Sequence, residues 1–147
     1  MARKFAADDA NLSTGSIIVS RTKKYSDIQL SFQPIPGSGD IYISNDAAAV
    51  KQAVKNLIMT NPGEVPFAPN QGAGIRSYLF ELNDSFTAYE IEQSIRNTIQ
   101  NYEPRARIRK VEAAMRRDGN TANITIEFQV VSTNETVVLR ATVERLR

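Results

Sequence analysis

The stretch FTAYEIEQSIRNTIQNYEPR, residues 86–105, decides the fold because one run carries a helix start, an apolar stripe and a helix stop. Thr87 can cap the start, Glu90 three residues later completes a capping box, and Phe86 with Ile91 supplies an apolar staple. Ile91, Ile95, Ile99 and Tyr102 form one stripe at three- and four-residue spacings, with Glu92, Gln93, Arg96, Asn97 and Gln100 turned elsewhere. Pro104 cannot continue a helix, so the chain must turn between Glu103 and Arg105. A corner stiffened by proline holds a carboxylate and a guanidinium at fixed positions. Arg105 offers a planar fork for a partner's carboxylate or carbonyl groups, and Glu103 can accept from a partner or orient a nearby arginine. The competing reading is an ordinary helix stop with two solvated charges.

Past the corner the period changes. Residues 107–117 are extended in character, and Asp118-Gly119-Asn120 is a turn signal. Ile124, Ile126, Phe128 and Val130 then alternate with Thr125, Glu127 and Gln129. Thr133, Asn134 and Glu135 mark a second turn, followed by Val137, Leu139, Ala141 and Val143 on one face. The tail is therefore a three-strand meander. Ile108 and Val111 fall out of phase, which predicts a bulge or a late strand start near Arg109.

Before the stretch, residues 46–60 place Ala47, Val50, Val54, Leu57 and Ile58 on one helical face, opposite Lys51, Gln52 and Lys55. Asn61-Pro62-Gly63 stops that helix. Three prolines, Pro62, Pro66 and Pro69, disfavour regular structure up to Gly72 and predict an ordered loop pinned by Phe67. Such a loop either packs beneath the helices or meets a partner. Residues 75–82 read as a short helical turn with Ile75, Tyr78 and Leu79 on one side and Arg76 outside or paired with a carboxylate. Two short strands are expected within 23–32 and 41–43, separated by Pro34, Pro36, Gly37 and Gly39. Residues 1–24 read as a polar arm, and 25–147 as a single α+β domain with two main helices packed on an antiparallel or mixed sheet.

Composition narrows the chemistry. A chain of 147 residues with 41% hydrophobic content matches one domain with a modest core. Its 18 basic and 16 acidic residues nearly balance, so the charge does not demand a polyanionic partner. The chain has neither cysteine nor histidine, which removes disulfides, the usual zinc ligands and the common Ser-His and Cys-His nucleophile pairs. No apolar run is long enough to cross a bilayer, and residues 1–10 lack a signal-like core, so the sequence reads as cytosolic. Gly72-Ala73-Gly74 is too short to imply a nucleotide site. No cofactor, metal or small-molecule substrate is expected.

Four segments in order carry a resemblance: Tyr25-Ser26-Asp27-Ile28, then Asn61-Pro62-Gly63-Glu64-Val65-Pro66-Phe67-Ala68-Pro69-Asn70-Gln71-Gly72, Leu79-Phe80-Glu81, and Asn101-Tyr102-Glu103-Pro104-Arg105. Together they resemble the small baseplate wedge family of contractile-tailed phages, which is related to type VI secretion baseplate components and includes members labelled lysozyme-like. The sequence departs from the family at Gln71, where an aromatic is frequent, and at Ala106 and Arg107, which separate the corner from Ile108. The resemblance implies a virion tail baseplate component, assembled in the host cytoplasm in six copies per particle, with other wedge proteins and the tail sheath protein as partners. It further implies that the chain templates the first sheath subunits by strand exchange. Tyr102, Glu103, Pro104, Arg105, Phe67 and Arg76 are the candidate interface residues.

Two other functions compete. Peptidoglycan hydrolysis, prompted by the lysozyme-like label, would need two carboxylates about 5 to 9.5 Å apart, with Glu64, Glu81, Glu90 and Glu103 available. Nucleic-acid binding would rest on Arg105, Arg107, Arg109, Lys110, Arg116 and Arg117, which lack interleaved aromatics for base stacking.

Overall fold

A computed structural model describes residues 25–81, 85–116 and 121–145. The expected polar arm and the Asp118-Gly119-Asn120 turn lie outside the described residues. In chain order the elements are β1 (Ser26–Ile28), β2 (Ile43–Asn45), α1 (Asp46–Met59), α2 (Ile75–Tyr78), α3 (Ser85–Tyr102), β3 (Ala106–Met115), β4 (Thr121–Val130) and β5 (Thr136–Glu144). This is the expected α+β class. The described strands form two sheets, an antiparallel β1-β2 pair and an antiparallel sheet of order β3-β4-β5.

Strict alternation makes β4 the centre of the core. Ala122, Ile124, Ile126, Phe128 and Val130 are all buried, and the residues between them face the other side of the sheet. The bulge falls between Ile108 and Lys110, leaving Arg109 unpaired in the ladder and returning Val111 to the inner face. From β5, Leu139 and Val143 complete that face. Helix α3 packs along β3, while α1 packs on β4 and β5, so both main helices cover the same side of the sheet. The opposite side is solvated, and its Lys110–Glu112 pair at 2.7 Å is too exposed to contribute much stability.

Helix α1 begins where Asp46 joins it to β1. The Asp46 N–H donates to the Tyr25 carbonyl at 2.8 Å, and the Tyr25 N–H donates to Asp46 Oδ1 at 3.1 Å. The aspartate also places negative charge in the first turn, where the helix dipole favours it. The buried stripe is Ala49, Val50, Val54, Leu57 and Ile58. The helix stops at Met59, and Thr60 is extended, with its hydroxyl donating to the Asn56 carbonyl at 2.8 Å.

Helix α3 corrects the expected cap. It starts at Ser85, so Thr87 lies inside the first turn and is 4% exposed, while Phe86 is 64% exposed and forms no staple. Thr87 is four residues before Ile91 and shares the stripe with Ile95 and Ile99. Burial of this stripe carries the helix past the residue that its sequence marks as a cap. Full burial of each isoleucine stabilises the fold by about 1.5–3 kcal/mol.

Candidate protein interface

The Glu103 N–H donates to the Ile99 carbonyl at 2.9 Å, closing the last turn of α3 before Pro104 redirects the chain. Glu103 is buried at 6% exposure, which fits the second of its two expected roles, orienting a nearby arginine. Arg105 Nε donates to Glu103 Oε1 at 2.7 Å and Arg105 Nη2 donates to Oε2 at 2.8 Å, a bidentate fork across the proline. Burial of an ionised carboxylate demands such pairing. The Glu103 hydrogen bond raises the Arg105 pKa further above its ordinary value, against the opposing effect of desolvation.

Arg105 reaches further than its neighbour. Its Nη1 donates to Asp27 Oδ2 at 3.2 Å, and its guanidinium lies 5.4 Å from the centroid of the Tyr25 ring. Its backbone carbonyl accepts from the Val131 N–H at 3.0 Å. One residue therefore ties the end of α3 to β1 and to the β4–β5 turn. Sequence reasoning missed Tyr25 and Asp27 as its partners. Their segment was among the resembling motifs, yet nothing local connects residues nearly eighty positions apart.

The loop at 61–74 corrects a second expectation. Phe67 does not pin it, because its side chain is fully exposed at 105%. The Ala68 N–H donates to the Val65 carbonyl at 3.2 Å, closing a turn with Pro66 second and Phe67 third at φ 64°. That third position in a turn of positive φ ordinarily takes glycine or asparagine. The anchors are backbone groups. Ser94 Oγ donates to the Ala73 carbonyl at 2.8 Å, Thr98 Oγ1 donates to the Gly72 carbonyl at 3.3 Å, and the Gly74 N–H donates to the Thr60 carbonyl at 3.3 Å. Asn61 donates from its backbone and side chain to both carboxylate oxygens of Glu64, which lowers the Glu64 pKa.

The six candidate residues do not form one patch of contacts. Tyr102, Glu103, Pro104 and Arg105 share the corner, with Tyr102 and Pro104 exposed. Arg76 is exposed on α2 beside Phe80, which is covered by the Arg145 guanidinium at 4.4 Å. Between the loop and α3 runs a groove of about 630 Å³ lined by Tyr78, Phe86, Tyr89 and Tyr102, with the amides of Asn70 and Asn97 among its polar groups. Glu90 is the one carboxylate lining it among the described residues.

An aromatic groove, an exposed loop phenyl and a braced corner lie on one α+β scaffold. The family comparison places it more narrowly. Residues 44–135 match the family described as baseplate wedge protein gp25, and the chain belongs to that family. The baseplate wedge protein gp25 of Enterobacteria phage T4 is 30% identical over 109 residues, spanning 74% of this chain and 82% of that protein. A solved protein from Geobacter sulfurreducens, described as a candidate tail lysozyme, is 25% identical with a TM-score of 0.59, covering 67% of this chain and 89% of that one. A chain of the anti-feeding prophage baseplate shares the fold at 18% identity and a TM-score of 0.59, covering 89% of this chain and 92% of its own.

Proposed function

We propose that this chain is a structural, non-enzymatic subunit of a contractile-tail baseplate wedge, docking on neighbouring wedge proteins and offering a strand edge to the first tail sheath subunits. The family match over residues 44–135 carries this reading. Six copies accord with the six-fold symmetry applied to the similar anti-feeding prophage baseplate. In this reading the particle assembles in the host cytoplasm. Glu103 and Arg105 hold the corner from within, while Pro104 and Tyr102 present it and Phe67 and Arg76 add outlying contacts.

The two edges of the three-strand sheet differ. On the β3 side, Glu92 Oε1 accepts from the Ala113 N–H at 2.9 Å, so a helix side chain occupies an edge donor. On the β5 side, the Val130 N–H bonds to the Glu135 carbonyl, and the register places Val137, Leu139, Ala141 and Val143 in the bonded pairs. The peptide groups of Val138, Arg140 and Thr142 therefore point outward, where an incoming strand can pair. Val138→Pro removes one outward donor and leaves the β4 ladder whole. Expected: the variant folds and enters baseplates, but sheath polymerisation on purified baseplates drops steeply. Full-length sheath on variant baseplates would remove β5 as the template.

Phe67 gives a second test. Phe67→Gly relieves a positive φ and deletes the exposed ring, so thermal stability should hold or rise while baseplate incorporation falls. Unchanged incorporation in competition with the parent chain would take Phe67 out of the interface.

Three of the four candidate carboxylates are poorly placed for hydrolysis. Glu103 is committed to Arg105, the Asn61 hydrogen bonds hold Glu64 in its ionised form, and Glu90 stands in the groove without a second carboxylate among the described residues. Turnover of purified peptidoglycan by the chain would reverse this conclusion.

A further inference from the structure

Arg96 and Gln100 of α3 help to line a second open groove, of about 410 Å³, which runs beside the corner. Pro104, Ile108 and Val131 line it together with Arg96, Gln100 and Arg107. Val131 is 47% exposed although it is aliphatic and follows directly on the central strand. The groove continues past Arg107 and Val131 toward Gln129 and Asn134.

Its arginines differ from the other cations nearby. Arg105 is neutralised by Glu103 and Asp27, Lys110 pairs with Glu112, and Arg109 donates to Gln129. Among the described residues, Arg96 and Arg107 have no hydrogen-bond or ion-pair partner and no acidic residue lines the groove. An apolar strip flanked by two unneutralised guanidinium groups is complementary to a segment with an apolar side chain between carboxylates.

We infer that this groove docks a short acidic amphipathic segment of a neighbouring wedge protein, its apolar residue against Pro104, Ile108 and Val131 and its carboxylates on Arg96 and Arg107. The inference rests on the baseplate reading and adds the chemistry of the partner. Nucleic acid fits less well. Two free arginines make a short phosphate track, and among the described residues no aromatic side chain lines the groove to stack a base.

The test uses the full chain inside assembled particles. A photo-crosslinking amino acid replaces Gln100 in the groove, and a second preparation carries it at Val138 on the β5 edge. The Gln100 probe should capture a peptide of another baseplate protein with Asp or Glu within a few residues of the attachment point. Arg96→Glu with Arg107→Glu should lower that yield about ten-fold, while the Val138 crosslink and the melting temperature persist. Capture of a peptide without acidic residues, capture of nucleic acid, or a yield indifferent to charge reversal overturns the inference. A folded parent chain that never enters particles, with neither probe reacting, overturns the baseplate reading and this inference with it.

Discussion

Truncating Arg105 to alanine is expected to destabilise the fold by about 3 kcal/mol, measured as the shift in a urea or thermal unfolding transition. The loss comes mainly from what is left behind. The Glu103 side chain is 8% exposed, and Arg105 supplies a donor to each of its oxygens. Removal leaves an ionised carboxylate with little beyond the Arg105 backbone N–H, which approaches at 3.4 Å. The cost lies at the lower end for a broken buried pair because the Arg105 side chain is itself 26% exposed, so water can enter the space it vacates. Loss of the Asp27 contact and the Tyr25 ring adds a smaller amount, since both are partly solvated.

A double variant separates the two sources of that loss. Glu103→Ala with Arg105→Ala should be less destabilising than Arg105→Ala alone, because no unpaired charge remains in the interior. The arginine will not unpair by titration. Its pKa is raised on folding, so its contribution is fully present below the ordinary arginine value and is not lost by arginine deprotonation as the pH rises. An Arg105→Ala variant within about 0.5 kcal/mol of the parent, the usual range of surface substitutions, would mean that the corner is not an internal brace.

Periodicity explains which parts of this fold could be read in advance. Helix α1 begins at the expected Asp46 because its apolar positions repeat without interruption, and the β4 alternation fixes the meander in the same way. Even the bulge at Arg109 is legible, as a phase error between Ile108 and Val111. Thr87 misleads because one residue type satisfies two local rules, as a cap and as a buried member of a stripe, and packing decides between them. Phe67 misleads because an aromatic among prolines has the composition of an anchor, while the turn places it at a positive φ pointing into solvent. For Glu103 and Arg105 the sequence supplies both charges and the proline between them. Whether two side chains face each other or a partner depends on the Cα path through the turn, which no residue pattern encodes.

Gly72→Ala is expected to cost about 4 kcal/mol, beyond the ordinary range of point substitutions. Gly72 has φ of 120°, where an L side chain is strained, and an added Cβ would lie 2.5 Å from the Thr60 carbonyl oxygen and 2.9 Å from its carbon. Both atoms are backbone and cannot swing aside as a rotamer would. The Thr60 carbonyl also accepts from the Gly74 N–H, and the Gly72 carbonyl accepts from Thr98, so displacement disturbs both anchors of the loop. Gly63→Ala provides the contrast: its φ is 89°, yet nothing lies within 4 Å of the added carbon. Strain alone should cost about 1–2 kcal/mol there. The two variants should therefore melt roughly 4–12 °C apart, taking about 2–4 °C per kcal/mol for a chain of this size. Baseplate incorporation should also fall more for Gly72→Ala even below its melting temperature, because the displaced loop carries Phe67 and Asn70. Equal melting temperatures for the two variants would show that the loop yields at Thr60, and the close approach of Gly72 would then not be what fixes the loop against α3.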